Sequence, residues 1–168
     1  MEKQERANWR CRWQLEKYAE DIGVYRGREA DFYRRCVPCE VLAGEGNCLL
    51  NSGINEMWDL ICGDSANHFN GTYATIGVGD STTAAAATQT DLQAATNKTY
   101  LGMDSGYPTS TSQQATFRAS FGAGSANYAW NEWVVKHSSS GVCLNRKMES
   151  LGTKSGGTWT LSVTITLS

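Results

Sequence analysis

The chain has 168 residues, 40% of them apolar and 19% charged, with a formal net charge of −2. That length suits one domain with a substantial core, and the near balance of charge excludes a field strong enough to gather nucleic acid or an anionic membrane. No run of about 18 apolar residues occurs to span a bilayer, and the opening Met-Glu-Lys-Gln-Glu-Arg is too charged for a secretory signal, which points to synthesis in a cytoplasm.

Residues 1–40 hold nine Lys/Arg and eight Asp/Glu, whereas the rest of the chain holds only six and nine. The expected organisation is therefore a charged, aromatic N-terminal arm over 1–42, leading into a hydroxyl-rich β-domain over 43–168. Within the arm, Trp9, Cys11, Trp13 and Leu15 alternate with polar residues at strand period. Gly23 and Gly27 interrupt any long helix after it. Tyr18, Tyr25, Phe32 and Tyr33 are too many aromatics for plain disorder. A short strand is expected over 37–42 with Pro38 near its start, then a turn at Gly44-Glu45-Gly46-Asn47.

One helix is expected near 52–62. Ser52 is a candidate N-cap, Ile54, Met57, Trp58 and Ile61 recur at i, i+3, i+4, i+7, and Gly63 suits the C-terminal stop. That stripe should pack on a sheet. Strands are expected near 73–78, 98–103, 114–121, 127–136, 142–149 and 158–167, punctuated by glycines, Gly77 and Gly79 included. Residues 84–95 are an Ala/Thr/Gln stretch, either a short helix or an ordered loop. The last strand is the clearest: Trp159, Leu161, Val163, Ile165 and Leu167 alternate with Thr and Ser. The fold class is mainly β, a β-sandwich or jelly-roll-like domain with one short packed helix and an extended N-terminal arm.

Chemistry-bearing residues are few. Cys36-Val37-Pro38-Cys39 is a C-x-x-C, and with Cys11 and Cys48 it could complete a tetrahedral zinc site. A true zinc ribbon shows two such knuckles, however, and this chain has one. A Cys36–Cys39 disulfide, a redox role and buried reduced thiols are the other readings. His68 and His137 have no neighbouring Cys or second His and read as surface or turn residues. Glu132 sits between Trp130 and Trp133 but lacks a second carboxylate for acid–base work. It is expected to accept hydrogen bonds from backbone or from Arg118 or Arg146. Asn70 and Asn97 begin glycosylation-like triplets and read as turn residues. No nucleophile elbow, zinc-protease helix or phosphate loop is present. No catalytic residue and no cofactor are assigned.

Several segments in order carry a family resemblance: Glu45-Gly46-Asn47-Cys48-Leu49-Leu50-Asn51, Ile76-Gly77-Val78-Gly79-Asp80-Ser81-Thr82-Thr83, Thr88-Gln89-Thr90-Asp91-Leu92-Gln93, Met103-Asp104-Ser105-Gly106-Tyr107-Pro108, Trp130-Asn131-Glu132-Trp133, Leu144-Asn145-Arg146-Lys147 and the closing strand. Over roughly 40–168 this set resembles small structural (virion) proteins of tailed bacteriophages. The resemblance implies a non-enzymatic particle component located in the virion. The leading expectation is a capsid decoration or cement protein bound to the major capsid protein or another virion protein. It would act as a homo-oligomer, a trimer being the expected ring, without nucleic acid or membrane. The alternative is a tail, neck or fibre component that recognises a host surface glycan through tips near 109–114 and 138–140. In the decoration reading the arm is the interface, through Trp9, Arg10, Arg12, Trp13, Tyr25, Phe32 and Tyr33.

Overall fold

The computed structural model describes residues 8–168. The seven residues that open the expected arm lie outside the described ones. Among the described residues, ten strands form two antiparallel five-stranded sheets. In chain order they are β1 (Trp9–Tyr18), β2 (Glu40–Glu45), β3 (Cys48–Leu49), β4 (Ala74–Gly79), β5 (Lys98–Gly102), β6 (Thr109–Thr111), β7 (Gln114–Phe121), β8 (Ala129–His137), β9 (Cys143–Thr153) and β10 (Thr158–Leu167). One sheet runs β2-β1-β10-β7-β6 and the other β3-β9-β8-β4-β5. Their inner faces share one core that includes Trp13, Leu15, Phe117, Leu161 and Val163 from the first sheet and Ile76, Val78, Trp130, Trp133 and Val135 from the second. The β-sandwich expectation holds. Two α-helices accompany it, α1 (Glu29–Arg35) and α2 (Asn51–Cys62), with a 3₁₀ turn at Ile22–Tyr25.

The N-terminal residues are not an appended arm. β1 lies between β2 and β10 and pairs with β10 along its whole length, from Trp9↔Leu167 to Tyr18↔Thr158. The alternation that reads as a strand places Cys11, Trp13 and Leu15 in the core, and burial of such a face is worth about 1.5–3 kcal/mol per large side chain. Residues between β1 and β2 instead form a cap on the outer face of the first sheet. Phe32 is fully buried there, with Tyr18, Tyr25 and Tyr33 ring centroids at 4.8, 5.5 and 5.1 Å.

The central strands of the second sheet, β4 and β8, are covered on both faces. β8 carries a register shift between Trp130 and Glu132, which lets Trp130 and Trp133, three residues apart, both face the core. Glu132 and Val134 then point to the opposite face, under the segment 80–97, which is an ordered loop and not a helix. Gly77 and Gly79 lie inside β4, not in a turn. A Cβ at Gly79 would meet Glu132 Oε1 at 2.5 Å, and one at Gly77 would meet the Tyr100 ring at 2.5 Å.

The orientation of α2 departs from the sequence pattern. Gly53 and Glu56 are its buried residues, while Trp58 and Ile61 face solvent. The reason is a close approach: a Cβ on Gly53 would lie 2.4 Å from the Leu144 carbonyl oxygen of β9, so only glycine lets the helix rest on that backbone. Leu50, not Ser52, occupies the N-cap, and the Ser52 hydroxyl donates to the Cys143 carbonyl at 2.9 Å. Gly63 ends the helix in the left-handed region at φ 82°, as expected.

Candidate functional site

Three polar clusters are candidates for chemistry: the first is fully buried, Asp104 and Ser120 of the second line an open groove, and Asp91 of the third is partly exposed. Under the 80–97 loop, Arg146 Nε donates to Glu132 Oε2 at 2.8 Å and Nη2 lies 2.7 Å from the same oxygen in an ion pair, with both side chains fully buried. The Gln93 and Ala94 N–H groups donate to the two oxygens of the same carboxylate at 2.9 and 2.7 Å. Arg146 also reaches Gln89 Oε1 and the Thr83 carbonyl, both at 2.9 Å. Every donor and acceptor therefore ties the loop to β8 and β9. Of the two arginines expected near Glu132, Arg146 is the partner.

Arg118 belongs to the second cluster, beneath the cap. Its Nε donates to Asp104 Oδ2 at 2.9 Å, and its guanidinium lies 3.9 Å from the Tyr33 ring centroid and 5.1 Å from that of Tyr107. Burial raises the Tyr33 hydroxyl's pKa, an effect partly offset by hydrogen bonds with Ser120 and Thr160. The third cluster joins Asp91 to Lys136 Nζ at 2.7 Å and to the Tyr100 hydroxyl. Desolvation pushes the Asp91 carboxyl up, but hydrogen bonds from Lys136, Tyr100 and the Leu92 N–H outweigh it and hold the pKa below 3.8.

The cysteines do not converge. All six are free thiols, and no group of three or more His, Cys, Asp or Glu among the described residues could hold a metal ion. Cys11 is in the sandwich core, Cys36 is in the cap beside Tyr25, Cys39 is exposed and Cys48 lies at a sheet edge. Burial pushes the Cys11 and Cys143 thiols up to about 12, so both stay protonated and unreactive. His137 is buried, not a surface residue: it stacks on Tyr73 at 5.1 Å and accepts the Ser140 N–H at 3.1 Å through Nδ1. His68 is exposed, and Asn70 is a turn residue whose Oδ1 accepts the Thr72 N–H.

The expected interface is largely used up by the fold. Trp13 and Phe32 are buried, Tyr33 is bonded under the cap, and Tyr25 packs on Phe32. Trp9 is half-buried and donates from Nε1 to Asn47 Oδ1 at 2.9 Å. Only Arg10 and Arg12 remain exposed, the latter paired with Glu45.

Two accessible surfaces among the described residues bear most on binding. The first is a polar groove of about 770 Å³ on the outer face of the β2-β1-β10-β7 sheet, beyond the cap. Strand register sets its rows: Glu45, Arg12, Thr164 and Thr116 lie across one, and Arg10, Thr166 and Gln114 across the next. The second is the solvent face of α2 with Trp58 and Ile61. It adjoins an apolar groove of about 270 Å³ lined by Met57, Trp9, Phe117, Leu144, Ile165 and Leu167. Sequence periodicity marks this helix face, but as a buried one. Comparison with known protein families, characterised proteins and solved structures found no match to this chain.

Proposed function

We propose that the protein is a non-catalytic structural component of a tailed-phage particle, and foremost a decoration protein on the outer face of the head. One observation carries the non-catalytic reading. The buried Glu132–Arg146 pair, the group most suggestive of acid–base chemistry, spends its contacts on pinning a loop. Large apolar side chains meanwhile stand in solvent, Trp58 and Ile61 on α2 and Val24 and Val37 on the cap. The ordered segments that resemble phage virion proteins support the particle assignment. The mechanism is stabilisation by binding: a ligand that engages only the assembled shell contributes about 2.7 kcal/mol at a hundredfold excess over Kd.

The attachment surface moves from the expected arm to the exposed apolar residues, because β1 is an interior strand. Deleting residues 1–35 would remove that strand, so attachment is better tested by surface substitution. The direct experiment is cryo-EM of the intact particle. Density for this chain repeated over the capsid lattice supports decoration, whereas density confined to tail, neck or fibre refutes it. A second reading, recognition of a host glycan, is favoured by the outer groove. Its Arg10, Arg12, Gln14 and Gln114 side chains and the hydroxyls of Ser162, Thr164 and Thr166 suit a polyhydroxylated ligand. Glycan-array binding lost in Arg12→Ala would support it, and absence of binding would refute it.

A further inference from the structure

Lys154 is a buried cation that the three polar clusters leave out. It follows β9 directly and is 1% exposed, and its Nζ donates only to neutral oxygens among the described residues, the Gly122 carbonyl at 2.8 Å and Asn127 Oδ1 at 3.0 Å. A lysine this deeply buried ordinarily has a counter-charge. Two acceptors suit a neutral amine, which has two N–H donors and a lone pair, whereas an ammonium has three donors to place. Burial acts in the same direction and lowers the Lys154 pKa below its ordinary value, against the opposing charge of Asp21.

Asn127 is held to face that amine. Its Oδ1 also accepts the Gly156 N–H at 3.0 Å, and its Nδ2 donates to the Ala123 carbonyl at 2.7 Å. The preceding residue, Ala126, is in the left-handed region at φ 52°, a strained conformation for alanine, and Trp130 Nε1 holds it there through the Ala126 carbonyl at 2.9 Å. The Lys154 N–H donates to the Tyr128 carbonyl at 3.1 Å, which fixes the two backbones against each other. Because Cγ is bonded to Oδ1 at about 1.2 Å, the amide carbon of Asn127 lies within about 4.2 Å of Nζ.

We propose that Lys154 and Asn127 join in an intramolecular isopeptide bond. Rotation about Cε–Nζ turns the lone pair onto Cγ. The Nζ–Cγ bond forms, and the negative charge that gathers on Oδ1 is met by the Gly156 N–H, already in place. The Cγ–Nδ2 bond then breaks. One Nζ hydrogen passes through water to Nδ2, which leaves as ammonia on the exposed side of Asn127. No oxidant, metal or cofactor enters the balance. Asn127 lies on the connection from β7 in the first sheet to β8 in the second, and Lys154 on the connection from β9 back to β10. The bond therefore closes a covalent ring across both crossovers at one end of the sandwich and restricts the unfolded chain as a disulfide would. It stands independently of any role on a particle.

Mass spectrometry of the full chain tests it, on protein purified and then held in mildly alkaline buffer. The intact mass should be lower than the sequence mass by one ammonia, and a digest should contain a branched peptide that joins Asn127 to Lys154. Asn70, which precedes Gly71, also sheds ammonia if it closes to a succinimide, so the branched peptide discriminates between the two. Asn127→Ala, a change at an exposed residue whose fold circular dichroism checks, should keep the full mass of its own sequence. A wild-type chain at full sequence mass after the incubation overturns the proposal. So does ammonia loss without the branched peptide, or ammonia loss that persists in Asn127→Ala. The wild-type digest decides the matter even where the variant folds poorly.

Discussion

Substituting Glu132 by Gln tests whether the buried pair holds the second sheet and its loop together. The substitution keeps shape and removes charge. Oε2 accepts from Arg146 Nε and the Gln93 N–H and is ion-paired with Arg146 Nη2, and Oε1 accepts from the Ala94 N–H. The best rotamer keeps the Gln oxygen at the Oε2 position and turns its NH₂ toward the Ala94 N–H, so one acceptor becomes a donor facing a donor. Arg146, fully buried, then has no counter-charge. Breaking a buried pair from one side costs about 3–5 kcal/mol. In a domain of this size each kcal/mol shifts Tm by about 2–4 °C, so Glu132→Gln should lower Tm by roughly 6–20 °C. Urea unfolding supplies the free energy, and limited proteolysis should show new cleavage within 80–97. The double variant Glu132→Leu/Arg146→Met should recover part of the loss, because no unpaired charge stays buried. A Glu132→Gln chain within about 1 kcal/mol of wild type, with an intact loop, would refute the reasoning.

Other expectations follow from the same geometry. Gly53→Ala puts a Cβ 2.4 Å from the Leu144 carbonyl oxygen, so α2 must lift from β9, at about 1–3 kcal/mol by urea unfolding. Asp91, whose pKa is depressed in the fold, adds stability that is present above the ordinary aspartate pKa and lost as pH falls through its lower folded value. Asp91→Asn should therefore lower stability at pH 7 and flatten the acid limb of a stability–pH curve. A thiol reagent at pH 8 should modify exposed Cys39 and Cys62 rapidly and leave Cys11 and Cys143 silent until the chain unfolds. Arg118→Ala removes the ion pair to Asp104 and the stacking on Tyr33, and hydrogen exchange should quicken over the cap at 22–36.

Local signals were legible where one face of an element decides its structure. β7 and β10 occupy the spans that alternation predicts, and α2 matches its expected helix to within a residue. What the sequence hid depends on distant partners. Nothing near Trp9 to Tyr18 reveals that their neighbour is the last strand. The burial of Trp130 and Trp133 on one face depends on a bulge that alternation cannot anticipate. The rotation of α2 is decided by Gly53 meeting the backbone of β9, a contact that outweighs the apolar stripe. The Glu132 cluster was half readable: the Arg partner could be narrowed to two, but the Gln93 and Ala94 N–H donors come from a loop whose path no periodicity encodes. The cap helix α1 carries no periodic signal because it spans only Glu29–Arg35 between polar flanks.

The pairing of β1 with β10 also bears on how the molecule is made. During synthesis, β1 leaves the ribosome well before its long partner β10, and of its two neighbours only β2 lies close to it in the chain. Until then the apolar side of β1 has no second sheet edge to close on, and the first sheet lacks its central pair. Such non-local closure is slow. The nascent chain therefore carries an open, sticky strand until β10 emerges, a natural substrate for chaperones and a point where crowded copies pair wrongly.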